Sequence, residues 1–297
     1  MAVTVGDVAG MLEHAYPPEL AEPWDTGIGL TCGNPAAKLS AVLLAVDLDA
    51  AVVDEAIDRG VQLIVTHHPL LFRAVQSVAA DSPKGALVHR LIRAGIAHYS
   101  AHTNADKAVD GVSDALAAAL GVSEPRPLVP DPPGLLPAAH PQAGRTGLGR
   151  IGRLPAPTTL AQFLQVVARA LPGTAAGVRA AGDPARVIRT VAVCGGAGDG
   201  ELPTATTAGA DVYLTSDLRH HVVAEHLAVS GAAAVVDVAH WAGEWPWLGR
   251  AAQVLTRAVP AGGQTGSVTF TVSTLCTDPW TRLILPTAEG LDTSAEG

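Results

Sequence analysis

The chain has 297 residues, enough for one large domain or two ordinary ones, and its core must rest on Ala, Val and Leu because only 4% of residues are aromatic. Lys and Arg number 19 against 28 Asp and Glu, a formal charge of −9 that excludes a broad basic footprint for nucleic acid or an anionic membrane. No apolar stretch approaches the ~20 residues of a membrane span. The N-terminus lacks the charged-then-apolar pattern of a secretory signal. The three cysteines, Cys32, Cys194 and Cys276, are widely spaced with no CxxC pair, so a reducing cytoplasm is the expected setting.

In chain order, the apolar run Ala41 to Val46 reads as a buried strand ending at Asp47 and Asp49, followed by a helix from Val52 to Arg59 closed by Gly60. Val61 to Val65 is a strand leading into Thr66-His67-His68-Pro69, and Lys84 to Ala94 is a helix ended by Gly95. Ile96 to Ser100 is a strand leading into Ala101-His102-Thr103-Asn104, and Val112 to Leu120 is a helix. The segment from Pro125 to Pro141 is too rich in proline for a helix or a central strand and reads as a connection. Order resumes at Gly147 to Leu154, with a helix from Thr159 to Leu171 and a strand from Val187 to Cys194 before a glycine turn. Asp211 to Leu214 and Ala233 to Val238 are strands on either side of a helix near His221 to Ser230. Strand–helix alternation predicts an α/β fold with two similar lobes and mixed, mainly parallel sheets. The expected division is 1–124 for the first lobe, 125–146 for the Pro-rich connection, 147–285 for the second lobe and 286–297 for a polar tail. The echo between the halves, each with a strand ending in Ala-His, fits a duplication or the habit of such sheets to end strands in polar residues.

Three fragments carry the chemistry. His67 and His68 follow a strand directly, where both imidazoles can face one cavity or simply cap backbone groups. His102 and Asp106 lie four apart after the next strand, as ligands or as helix caps. His240 and Glu244 have the same spacing after an apolar run, and on a helix i and i+4 share a face. Trp241, Trp245 and Trp247 would shield a site there or pack as a core cluster. Strand ends are where open α/β sheets place ligands, and the set exceeds what one tetrahedral ion requires. A two-ion centre would use it fully. Asp217, His220 and His221 form a second polar group, read as supporting or substrate-contacting residues or as a surface helix start. The turn from Cys194 to Gly200 would admit an anion or be only a turn, with Cys194 a buried thiol.

Seven stretches, taken in order, resemble one family. They are WDTGIGLTCG, VQLIVTHHPLLF, AHTNADKAVDGVSDALAAALG, GLGRIGRLP, VAVCGGAG, ADVYLTSDLRHH and VDVAHWAGEWP. The chain resembles the Nif-three-like dinuclear-metal proteins, also called GTP cyclohydrolase 1 type 2 homologues. The resemblance implies that His67, His68, Asp106, His240 and Glu244 hold two divalent ions, with Glu244 as the bridge. It implies two lobes flanking that centre and a homohexamer. Some members carry an extra domain between the lobes, which this chain lacks. Thr215-Ser216-Asp217 and Gly196-Ala197-Gly198 replace the family's usual Thr-Gly-Asp and Gly-Ser-Gly. A ligand set without thiolate admits zinc, manganese, iron, cobalt or nickel.

The expected function is therefore a metal-dependent hydrolase in which a metal-bound hydroxide attacks carbon or phosphorus, with His102 or His221 moving the proton. A small phosphorylated or nucleotide compound is the expected substrate class. The rival readings are a carrier or insertase that delivers ions without turnover, and a regulatory protein acting through its assembled surface.

Overall fold

The computed structural model describes residues 2–259 and 268–285. The 286–297 tail lies outside the described residues. Helix α1 (Val5–Ala15) starts at a reciprocal cap, Thr4 and Asp7 each satisfying the other's backbone N–H. Strand β1 (Gly29–Cys32) and then β2 (Ala41–Ala45), α2 (Ala50–Asp58), β3 (Leu63–Thr66), α3 (Pro83–Ala94) and β4 (Ala97–Ser100) build the first lobe. Helix α3 shows how sequence sets its ends: Ser82 caps the Gly85 N–H, Pro83 occupies the first turn, and Gly95 closes at φ +69°. The short α4 (Thr103–Lys107) and α5 (Val112–Ala119) then lead to the second lobe.

There the strands are β5 (Ser123–Pro130), β6 (Gly147–Thr159), β7 (Val178–Ala181), β8 (Val187–Ala197), β9 (Val212–Ser216) and β10 (Ala234–Val238). Helices α6 (Leu160–Ala170), α7 (Leu202–Thr207), α8 (His220–Leu227), α9 (His240–Glu244) and α10 (Pro246–Ala258) are interleaved with them, and β11 (Thr269–Val272) comes last. The first sheet runs β1-β4-β3-β2-β11, parallel except for β1. The second runs β5-β6-β8-β9-β10-β7, with a parallel centre of β8, β9 and β10 and antiparallel flanks. The expected α/β architecture with two mixed sheets is what the chain adopts.

Two stretches depart from the expected division. Part of the Pro-rich connection is strand β5, tolerated because it pairs only with β6 at the sheet's edge, where a missing N–H costs no ladder bond. The rest is pinned by Gln142, which donates to the Ala15 carbonyl at 2.7 Å and accepts from the Val109 N–H at 2.9 Å. The chain also returns to the first lobe before residue 285. Strand β11 pairs with β2, and α10 buries Trp247, Leu248, Ala251 and Leu255 in the same core as α1. The open edge of β2 and the apolar face of α10 draw this segment back across the molecule.

Candidate metal centre

Both parallel triplets, β2-β3-β4 and β8-β9-β10, end at the cleft between the lobes. His67 and His68 leave β3, His102 and Asp106 leave β4, and His240 and Glu244 leave β10, so the three fragments meet. The imidazole centroids of His67 and His68 are 4.9 Å apart, His67 and His102 5.1 Å, and His68 and His240 5.1 Å. Nitrogens of His67, His68 and His102 lie within 4.8 Å of one another, as do the ligand atoms of His68, His240 and Glu244. Glu244 is buried at the centre. Its Oε1 is 3.3 Å from His67 Nε2 and 2.9 Å from His240 Nε2, while Oε2 is 3.1 Å from His68 Nε2. Asp106 Oδ1 stands 3.7 Å from His67 Nε2.

The outer nitrogens decide how the inner ones face. His67 Nδ1 donates to the Ala101 carbonyl at 2.9 Å, His68 Nδ1 to Asp47 at 2.7 Å, His102 Nδ1 to Asp25 at 3.0 Å and His240 Nδ1 to Asp217 at 2.7 Å. Every imidazole thus spends its Nδ1 proton outward and turns Nε2 inward, the arrangement in which metal-binding histidines are held. Asp25 is itself fixed by the Thr103 N–H and hydroxyl. Burial works against its charge, yet the bonds from His102 and Thr103 outweigh it and bring its carboxyl down to about 2. Thr277 donates to Asp47 and ties the C-terminal segment to the same network.

His67 Nε2, Asp106 Oδ1 and Glu244 Oε2 are buried without a hydrogen-bond partner. Orphaned buried polar atoms are costly, and here lone pairs of nitrogen and oxygen converge at close range. Only positive charge between them relieves this. The protonation equilibria register the same demand. Burial pushes His68 down, but the Glu244 charge and the bond to Asp47 prevail and raise it to about 10. The Glu244 charge exceeds the opposing burial at His240 and raises it to about 11. Burial favours neutral Glu244, but three imidazoles hold it well below the usual carboxylate range. Burial raises Asp106. This donor set, with aligned inner nitrogens and unsatisfied carboxylate oxygens, fits divalent cations.

The glycines at the end of β8 supply room beside the carboxylate. Gly196 has φ +67°, and a Cβ there would stand 2.6 Å from Glu244 Oε1 and 3.1 Å from His240 Nε2. Its carbonyl accepts from the Thr215 hydroxyl at 2.9 Å. Cys194 is buried, and desolvation pushes its thiol up to about 12, leaving it without thiolate character. Trp247 is fully buried with its ring 5.5 Å from that of His67, so it backs the centre and packs in the core at once.

Of the expected residues, His221 is not brought in. It is exposed on α8, edge-to-face with His220 at 5.1 Å, because Asp217 at φ +58° turns the chain and α8 carries it away from the cleft. His102 joins the inner group with His67 and His68. The roles of Asp25 and Asp47 were not legible in the sequence; a carboxylate after an apolar strand marks Asp47, but no local signal marks Asp25.

A sequence model of the family described as Duf34/NIF3 (NGG1p interacting factor 3) matches residues 3–279. The chain belongs to this family. It is 46% identical to the GTP cyclohydrolase 1 type 2 homolog of Streptomyces coelicolor, over 93% of each chain. The protein of that name from Mycobacterium tuberculosis is 38% identical, covering 94% of this chain and 97% of its own. Among solved structures, the Bacillus cereus protein related to NIF3 superposes with a TM-score of 0.82 at 28% identity, covering 95% of this chain and 100% of that one. As a Duf34/NIF3 member the chain has relatives called GTP cyclohydrolase 1 type 2 homologs, a name that states likeness rather than a demonstrated reaction. No described helix is long and apolar enough to cross a membrane.

Proposed function

We propose that this Duf34/NIF3 protein is a cytoplasmic metal-dependent hydrolase whose centre holds two divalent ions on His67, His68, Asp106, His240 and Glu244, with Glu244 bridging. The observation that carries this reading is the set of three buried, partnerless donor atoms, on His67, Asp106 and Glu244, surrounded by imidazoles whose Nε2 atoms all face inward. Bound there, a divalent pair supplies Lewis acidity and makes a water more acidic near neutral pH. The chain's own residues do the rest. Asp47, Asp217 and the Ala101 carbonyl hold three imidazoles in the tautomer that leaves Nε2 free. His102, held by Asp25, takes and returns a proton at Nε2, the role the exposed His221 is too far from the cleft to fill. The ions are drawn from zinc, manganese, iron, cobalt and nickel, since the inner donors are nitrogen and oxygen.

The assembly expected with this function is a homohexamer, and a nucleotide or other small phosphorylated compound is the inherited substrate class. The test is metal content per chain on tag-free protein, followed by hydrolysis screens before and after chelation. About two ions per chain and a turnover abolished by chelation support the reading. Bound ions that exchange without any turnover would favour a metal carrier or insertase instead. Near-zero metal that added ions do not restore overturns both.

A further inference from the structure

The cleft is much larger than an ion pair needs. Its volume is about 870 Å³, in the range of cavities that bury a whole organic ligand. One side of its mouth is aromatic. Trp24 and Phe72 meet edge-to-face at 5.9 Å, and they lie 6.1 and 5.6 Å from the His102 ring, so this shelf abuts the metal residues. Pro279 and Trp280 line the cavity too, on the segment that Thr277 fastens to Asp47. Trp24 is 59% exposed and Trp280 70% exposed, an uncommon investment of surface aromatics in a chain with five tryptophans. Large aromatics left open beside a cavity cost solvation that a ring stacked on them recovers.

The charges around the same cavity narrow the ligand further. Among the described residues lining it, seven carboxylates outnumber the lysine and arginine side chains, Lys107 and Arg179. Neither cation is free. Lys107 lies 2.7 Å from Glu22 and 3.3 Å from Asp131, and Arg179 pairs with Asp237. Away from the ions, a polyphosphate would meet spent cations and a surplus of negative charge.

We propose that the cavity takes a planar aromatic compound with one metal-binding donor end, carrying at most one negative charge, whose ring lies on the Trp24–Phe72 shelf with Trp280 closing over it. The ring site is independent of the metal reading; only the donor end rests on it. The polyphosphate of a nucleoside triphosphate is disfavoured here, which departs from the substrate class that the relatives' name suggests.

Calorimetric titration with three probes separates the parts. Naphthalene-2-carboxamide offers a ring with a weak donor, acetohydroxamate a metal-binding end without a ring, and naphthalene-2-hydroxamate both. The carboxamide is expected to bind the metal-stripped protein, and Trp24→Ala and Trp280→Ala are each expected to weaken it about tenfold. On metal-loaded protein the naphthyl hydroxamate is expected to exceed acetohydroxamate by tenfold or more, with metal content unchanged in both variants. Acetohydroxamate binding with no ring preference, or a preference that both alanine variants retain, overturns the aromatic site while leaving the metal centre standing. Carboxamide binding with no acetohydroxamate binding, and no gain of the naphthyl hydroxamate over the carboxamide on metal-loaded protein, does the opposite. GTP binding more tightly than the naphthyl hydroxamate to metal-loaded protein would overturn the charge argument.

Discussion

The two lobes use one scaffold and load it differently. In each, three parallel strands end at the cleft and the last is followed by a five-residue helix, α4 or α9. At the start of each lies a histidine four residues before a carboxylate, His102 in the cap position of α4 ahead of Asp106 and His240 opening α9 ahead of Glu244. The first lobe places Asp47 just past the end of its first parallel strand, and the second has Gly196 among the last residues of β8. That difference matters. The absent side chain at Gly196 leaves the space that Glu244 Oε1 occupies. The longer glutamate then reaches imidazoles from both lobes, whereas Asp106 approaches only His67, at 3.7 Å. The central position of Glu244 thus depends on a glycine across from it as much as on the carboxylate.

The sharpest way to break the comparison is to remove that reach. Glu244→Gln keeps the shape but removes the charge that offsets three imidazoles, and metal affinity should fall by more than about 100-fold, as read by competition with a chromophoric chelator. Gly196→Ala should cost about 10- to 100-fold through the collision with Glu244, while Gly200→Ala, where an added Cβ meets nothing, should leave affinity unchanged.

The orienting carboxylates sharpen it. Asp25 is buried, Asp47 is partly open and Asp217 is the most exposed of the three. Replacing Asp47 or Asp217 by Asn should weaken metal binding within about 10- to 100-fold, more at Asp47 than at Asp217, whereas Asp25→Asn, behind the proton-carrying His102, should lower turnover and leave metal content unchanged. Equal losses at Asp47 and Asp217 would show that burial does not govern their contribution.

The smallest effect is on stability, and it tests the first lobe alone. His98 is fully buried between the Thr31 hydroxyl at 2.6 Å and the Thr66 hydroxyl at 2.8 Å, and burial lowers its pKa to about 3. An unfolded histidine binds its proton near pH 6.5, so between these values the unfolded chain holds more protons and stability falls as pH drops. The contribution is about 1.4 kcal/mol per pH unit below about 6. Urea unfolding of wild type and His98→Gln should show the pH slope reduced by that amount in the variant.

Much of this arrangement was legible because the strands that build it are buried on both faces. Apolar runs such as AVLLA and AVVDV announce themselves, and the glycines after α3 and α5 mark helix ends. The edge strands were hidden. VRAA of β7 and TFTV of β11 are only partly buried and carry no strong alternation, and the prolines of β5 argue against a strand unless the strand lies at an edge. Helix α10 was obscured because Trp241, Trp245 and Trp247 read as a shield for a site or as a core cluster, and neither reading carries a helix on to Ala258. The inner donors follow strands directly and could be found; Asp25 could not, because its partner His102 is 77 positions away and only the fold joins them.

The central claim is that strand ends from both lobes meet on one pair of ions bridged by Glu244. Anomalous diffraction from crystals of the metal-loaded protein, recorded on either side of the metal's absorption edge, tests it directly. The account predicts two peaks flanking the Glu244 carboxylate, one toward His67 and Asp106 and the other toward His68 and His240. A single peak, or peaks away from Glu244, would contradict it.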